Sequence, residues 1–172
     1  MHVRPMERAD IKRLEKWKYK GDYAYYDVDG IGEELLAADA QLLCFGPFIV
    51  AYYCFGKEAR IPVGEKLLAY TETDCTDIAL SMRPVLCGHG WGGRVLERGM
   101  AFARETMGAS RFRLTVAAAN LRALTIYQRA GFAIVRSFSL NGKDGPRQFY
   151  VMVRQPREED LAPKGKKVKK NG

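Results

Sequence analysis

The chain has 172 residues, 47% of them apolar and 28% charged, and a formal net charge of +8. That length and balance suit one soluble domain with a full hydrophobic core. No apolar run reaches the roughly 18 residues of a membrane-spanning helix, and the start, MHVRPMERAD, is too polar for a secretory leader, so no membrane contact and a cytoplasmic location are expected.

Residues 2–5 fit a short first strand. Ile11, Leu14 and Trp17 recur at three-residue steps and predict a helix over about residues 9–18. GDYAYYDVDG is polar and tyrosine-rich and reads as a loop; IGEELLAADA reads as a second, short helix. LLCF and FIVAYYCF are β-rich runs around Gly46 and Pro47, the pattern of a hairpin. GKEARIPVGEK is a connection. TDIALSM is a strand stopped at Arg83 and Pro84, because proline cannot continue a ladder. Beyond the glycine-rich stretch CGHGWGG, Leu96, Met100, Ala103 and Met107 follow a four-three-four spacing that places them on one helix face, with Gly108 as C-cap. RFRLTV is a strand. Asn120 is expected to cap a helix over residues 121–130, closed by Gly131. FAIVRSF and RQFYVMVR are the last strands, joined by the turn-prone NGKDGP. The order is mixed α/β, β-α-α-β-β-β-α-β-α-β-β, with no repeat and no second domain.

Five of the net positive charges, Lys164, Lys166, Lys167, Lys169 and Lys170, sit in the final stretch LAPKGKKVKKNG, which leaves +3 for residues 1–160. The folded domain is assigned to residues 1–156, and residues 157–172 to a disordered lysine-rich tail. That tail is either a solvated terminus or a nonspecific contact for RNA, ribosomes or anionic lipid. Cys44, Cys54, Cys75 and Cys87 form no C-x-x-C, and His2 and His89 are the only histidines. The cysteines therefore read as reduced thiols, and no metal is expected.

CGHGWGG contains Gly88, Gly90 and Gly93 as G-x-G-x-x-G, on a loop from a strand into a long helix. The first turn of a helix has free N–H groups and a positive dipole end, so a phosphate-bearing ligand is expected there; the other reading is a glycine turn kept for tight packing. A dinucleotide site needs its first glycine directly after the strand and an acid about 20 residues past the motif. Here Pro84 to Cys87 intervene, and the next strand ends in Ala117, Ala118, Ala119 and Asn120. The lysine and Ser/Thr of a P-loop are also missing, since Arg94 and Val95 follow Gly93.

The block from Thr76 to Phe132 resembles the GNAT superfamily of acyl-CoA-dependent N-acyltransferases. Gly88-His89-Gly90-Trp91-Gly92 fits the glycine part of that family's phosphate motif, with Cys87 where the family has Arg or Gln. AANLRALTIYQRAGF matches a second family pattern through Asn120, Ala123, Tyr127, Gly131 and Phe132. The resemblance implies a GNAT fold of the α/β class. Its mixed sheet has about seven mostly antiparallel strands, splayed between the fourth and fifth, with about four helices.

It also implies an N-acetyltransferase that moves an acetyl group from acetyl-CoA to a primary amine by direct attack. The pantetheine arm is expected along Leu80, Ser81 and Met82, by the logic of strand addition. The diphosphate is expected on Cys87, Gly88, His89, Gly90, Trp91, Gly92 and Gly93, with Asn120 and Ala123 beside the arm. Tyr127 stands where the family places the acid that protonates the departing thiolate; otherwise it is a core tyrosine beside Leu124. A backbone N–H near Met82 is expected to face the carbonyl oxygen. His89 is read as facing phosphate or solvent rather than acting as a base, and Trp91 as packing under the loop rather than stacking on adenine. Asp77 ranks ahead of Glu72 and Asp74 as base, against a solvated-surface role, with water as the alternative proton acceptor.

Tyr23, Tyr25 and Tyr26 are the candidate acceptor residues. With Trp17, Tyr19, Asp22, Asp27 and Asp29 they form either an aromatic-acidic rim suited to a cationic amine or a loop pinned by its aromatics. A small-molecule or peptide amine is the expected partner; nucleic acid is expected only through the tail, and a homodimer stays open. Two other classes remain: a non-catalytic CoA-binding protein of the same fold, and a ribosome- or RNA-associated protein acetyltransferase whose tail binding would fall steeply with salt.

Overall fold

In the computed structural model, which describes residues 1–142 and 145–161, the strands are β1 (His2–Pro5), β2 (Gln41–Phe45), β3 (Phe48–Phe55), β4 (Thr76–Met82), β5 (Phe112–Ala117), β6 (Ala133–Gly142) and β7 (Gly145–Arg154). The helices among the described residues are α1 (Ile11–Leu14), α2 (Gly32–Ala37), α3 (Pro62–Lys66), α4 (Gly92–Met107), α5 (Leu121–Arg129) and α6 (Glu158–Leu161). One sheet runs in the order β1-β2-β3-β4-β5-β7-β6, antiparallel except between β4 and β5. This is the mixed, splayed, seven-stranded arrangement that the two motifs implied.

β3 is an unbroken apolar run because both of its faces are covered. Ala51 and Tyr53 join Val95, Leu96 and Met100 of α4 and Leu124 and Tyr127 of α5 in one core. Tyr52 and Cys54 join Ile11, Leu14 and Trp17 in a second core on the other face. Each of the Val, Leu, Ile and Met side chains among them, fully buried, contributes on the order of 1.5–3 kcal/mol. A third, smaller cluster holds Ala69, Phe138, Phe149 and Val151 beneath the segment after α3.

β4 and β5 pair only at Thr76↔Phe112 and Asp77↔Arg113. Beyond that point β4 stays paired to β3 as far as Met82, and β5 to β7 as far as Ala117. Two parallel strands, each held on its outer side, thus open into a V. The Asp77 and Arg113 side chains close its vertex. Arg113 is 0% exposed; its Nε and Nη2 donate to the two Asp77 oxygens at 2.6 and 2.8 Å. Arg60 Nε adds a third bond to Asp77 at 2.8 Å, and Arg113 Nη1 donates to the Glu72 carbonyl at 2.8 Å.

Several boundaries differ from the sequence expectation. The first helix is shorter: a 3-10 turn at Arg8–Asp10 leads into α1, which ends at Leu14. Tyr19 N–H instead donates to Asp27 Oδ1 at 2.7 Å, which draws the chain out of the helix while Trp17 stays buried against Tyr52. The tyrosine loop is a 3-10 turn over Gly21–Tyr26, and the connection after β3 contains α3, which starts on Pro62. Met107 is 50% exposed; the chain turns at Gly108, with φ of +68°, so that Ala109 packs inward in its place. β6 and β7 extend to Gly142 and Gly145, farther into the predicted turn than expected.

Residues 157–161, assigned to the tail from sequence, include α6, and Asp160 pairs with Arg154 at 2.7 Å and Arg104 at 3.0 Å. Lys143, Asp144 and residues 162–172, including the five tail lysines, lie outside the described residues. Among the described residues, no helix is long and apolar enough to cross a membrane, and no three His, Cys, Asp or Glu side chains converge as metal ligands. All four cysteines are free.

Candidate active site

The V holds a cleft of about 350 Å³. Its walls follow from the ladder pattern. Thr76 N–H donates across to Arg111 C=O, and Arg83 N–H donates back to Val50 C=O. Hydrogen-bonding direction alternates along a strand, so Ile78, Leu80 and Met82 turn their N–H and C=O groups into the gap. By the same alternation Thr115 and Ala117 face it from β5. Tyr19 Oη donates to the Met82 carbonyl at 2.8 Å, which leaves the Met82 N–H as an open donor. Burial pushes the Tyr19 phenol above its ordinary pKa, so this bond persists across neutral pH.

The glycine loop stands at the open end of β4. Gly88 and Gly90 have φ of +82° and +79°, conformations that favour glycine. A Cβ on Gly88, Gly90 or Gly93 would meet nothing within 4 Å, so the space in front of the loop is open. At Gly92 a Cβ would come 2.3 Å from Ile126 Cδ1; that glycine lets α4 close against α5. Val95 N–H is the first to bond within the helix, to Trp91 C=O at 3.0 Å, and no side chain caps the start. The N–H groups of Gly92, Gly93 and Arg94 are therefore free for an anion.

Leu80, Ser81, Met82, Cys87, Gly88, Gly92, Asn120, Ala123 and Tyr127 line the cleft; His89, Gly90, Trp91 and Gly93 do not. His89 is exposed, with Nδ1 2.9 Å from the Cys87 carbonyl. Trp91 turns away from the cleft into a separate apolar groove with Phe48 and Leu86, under the Arg94 guanidinium. The Cys87 thiol points back toward the Met82 and Arg83 carbonyls at 3.7 and 3.8 Å. Burial raises its pKa, and the charge of Arg122 opposes that rise.

Asn120 Oδ1 accepts from Ala123 N–H at 3.1 Å, the N-cap bond expected of it. Tyr127 lies two turns along the same helix, 8% exposed, with its ring against Phe132 and its hydroxyl in the cleft. Burial pushes the Tyr127 phenol well above its ordinary value, and the neighbouring Tyr26 adds to the shift.

Asp77 is not the solvated or catalytic carboxylate that its sequence position suggests: it is 2% exposed and both oxygens accept from guanidinium groups. A carboxylate so engaged holds strands together. Glu72 and Asp74 are likewise paired, with Arg113 and Arg111. Among the described residues, no Asp or Glu lines the cleft.

The end of the cleft nearest the tyrosine turn is aromatic but not acidic. Tyr23, Tyr25 and Tyr26 all line the cleft. Lys18 neutralises Asp29 at 2.9 Å and Asp27 at 3.8 Å, and Asp22 is exposed outside the cleft. Two tyrosine faces already carry cations: Arg122 lies 3.7 Å from the Tyr23 centroid and Arg147 3.6 Å from that of Tyr25. Tyr26 Oη sits beside Asn120 and Ala117 but reaches hydrogen-bonding geometry with neither. Sequence reading missed Arg122 and Arg147. The signal for Arg122 was its place in the first turn of α5, two residues after the cap. Arg147 had none, because its partners are distant in the chain.

The profile of the Acetyltransferase (GNAT) family matches residues 48–132, from β3 to the end of the second motif. Residues 48–132 thus carry a GNAT-family acetyltransferase domain. Solved structures share its fold at low identity. A spermidine N-acetyltransferase chimera from Vibrio cholerae SpeG and hSSAT aligns at a TM-score of 0.67 and 12% identity, covering 94% of this chain and 99% of that one. A GNAT-family acetyltransferase from Bacillus anthracis aligns at 0.65 and 13%, covering 89% and 93%. The aminoglycoside acetyltransferase AAC(6')-Ib in complex with coenzyme A aligns at 0.61 and 17%, covering 92% and 95%. No curated protein sequence matches the chain significantly.

Proposed function

We propose that this chain is a cytoplasmic N-acetyltransferase that uses acetyl-CoA and a primary amine. The observation that carries this reading is the V itself: two strand edges with unpaired backbone groups lead to a helix start whose first N–H groups are free. A peptide-like arm suits the edge of β4, and a diphosphate suits the glycine loop. Acetyl-CoA supplies the activated acetyl group. The Met82 N–H donates to the carbonyl oxygen as charge grows there. Tyr127 Oη holds the proton that the departing sulfur takes. With no carboxylate of the described residues in the cleft, water receives the proton of the amine.

The loop assignment is tested at Gly90. Valine at a φ of +79° is strained, so the loop must shift and misdirect its donors. Gly90→Val is expected to abolish acetyl-CoA binding by calorimetry while the circular dichroism stays native; equal binding by the variant removes the diphosphate from this loop.

Cys87 occupies the position where the family has Arg or Gln, and Arg122 lines the cleft beside it with no acidic partner among the described residues. We assign Arg122 the charge that position 87 lacks. Arg122→Ala should weaken acetyl-CoA about 10-fold, the scale of one charged hydrogen bond, and adding Cys87→Arg should restore the affinity. No loss in the single variant, or no recovery in the double, would refute the assignment.

A further inference from the structure

Tyr26 Oη, Arg147 Nη1, Arg111 Nε and Asp160 Oδ1 are buried side-chain atoms with no hydrogen-bond partner among the described residues. The last two belong to groups with charged neighbours, since Arg111 pairs with Asp74 and Asp160 lies 3.0 Å from Arg104 Nε. The first two have no charged group to accept from them, Tyr26 Oη standing beside Asn120 and Ala117 without reaching hydrogen-bonding geometry, and they are neighbours of each other. The charge of Arg147 acts on the Tyr26 phenol, and both groups pack on Tyr25: Arg147 stacks 3.6 Å from its centroid, while Tyr26 meets it edge-on at 5.4 Å. Arg147 precedes Phe149 by two residues on β7, so both side chains leave the same face of the sheet. Phe149, Tyr25 and Tyr26 line the cleft on that face, while Arg147 does not line it directly and reaches it only through the Tyr25 ring on which it stacks.

Both unpartnered atoms carry protons to donate. A guanidinium partly withdrawn from water with no anion beside it is costly, and so is a buried hydroxyl without an acceptor. One oxyanion placed between them would accept from both, with the Tyr25 ring fixing the plane of the guanidinium. Among the described residues a polycationic acceptor finds no counter-charge here, because none of their carboxylates lines the cleft and the acids nearest it are paired or face solvent.

We propose that Arg147 and Tyr26 form the anion-binding half of the acceptor site, so that the acceptor is an amine that also carries an oxyanion group, as a free amino acid does. This rests on the acetyltransferase reading above. The Arg147 fork holds the oxyanion, Tyr26 donates a second bond, and the amine is left to face the gap between Met82 and Tyr127.

The test follows thiol release from acetyl-CoA with matched acceptors: amino acids, their amides, aminoalkylphosphonates and linear polyamines. Acid-bearing amines should exceed the amides and polyamines at least 10-fold in kcat/KM, and the ranking of carboxylate against phosphonate identifies the oxyanion. Arg147→Ala should raise KM for the acid-bearing acceptor about 100-fold, the scale of two charge-assisted bonds. It should leave the amide's KM and the acetyl-CoA affinity within about 2-fold, and Arg147→Lys should recover part of the loss. Tyr26→Phe should raise the same KM about 10-fold. A preference for polyamines or amides, or an equal effect of Arg147→Ala on acid and amide, overturns the inference and leaves acetyl transfer standing. Turnover with none of the amines overturns acetyl transfer itself.

Discussion

Asp77→Ala is expected to lower the folding stability of this protein by about 3–5 kcal/mol, the usual cost of stranding one member of a buried ion pair. For a chain of this size that is roughly 6–20 °C in Tm. Arg113 is 0% exposed and sends two of its bonds to Asp77. Its remaining contacts, to the Glu72 carbonyl and carboxylate, cannot neutralise it as closely. Arg60 suffers less, because it keeps Glu65 at 3.0 Å and reaches solvent. Replacing both vertex residues with apolar ones, Asp77→Leu with Arg113→Met, should recover most of the loss, since a buried pair is often replaceable at little net cost. Thermal melts of the single and double variants measure both outcomes.

The same variants separate the two roles considered for Asp77. As a catalytic base, Asp77→Asn would leave Tm near that of the parent and reduce kcat by orders of magnitude. As the pin of the V, it should reduce Tm first, and kcat per folded molecule only as far as the strands shift. The geometry supports the pin: Asp77 and Arg113 are the last register pair before β4 and β5 part. A native Tm with a collapsed kcat would return Asp77 to the chemistry.

What could be read from sequence divides along chain distance. β3 and β4 were placed to the residue, because their apolar runs end at Gly46 and Pro47 or at Arg83 and Pro84, signals local to each strand. The Asn120 cap was legible for the same reason, its acceptor being three residues away. The roles of Asp77, Tyr19 and Arg147 were not. Asp77 meets Arg113 across 36 residues and Tyr19 meets Met82 across 63. Nothing in the periodicity of either segment encodes such a partner. The acidic rim failed similarly: Asp27 and Asp29 do stand near the tyrosines, but Lys18, placed beside them by the early end of α1, takes up their charge. Trp91 was placed under its loop for a local reason, its position at the start of α4; that it faces a second groove with Phe48 depends on a strand far earlier in the chain.

Tyr127→Phe is expected to reduce kcat by about 10²-fold or more, the lower range of what a positioned acid supplies, and to leave the acetyl-CoA affinity within about 2-fold. Phenylalanine keeps the ring that packs on Phe132 and the core beneath α4, so a tyrosine that only filled space would lose nothing. Loss of the hydroxyl should also leave Tm unchanged or slightly higher, because among the described residues no protein group accepts from it. The pH dependence gives a second readout. Burial raises the Tyr127 pKa, so the phenol stays protonated as pH climbs through the ordinary phenol range. The parent enzyme should therefore show no alkaline loss of kcat from this group below about pH 10. Rates should rise with pH as the acceptor amine loses its own proton to water. A Tyr127→Phe enzyme with the parent kcat would assign the proton to another donor, and Tyr26, which also lines the cleft beside Tyr127, would be the next group to replace.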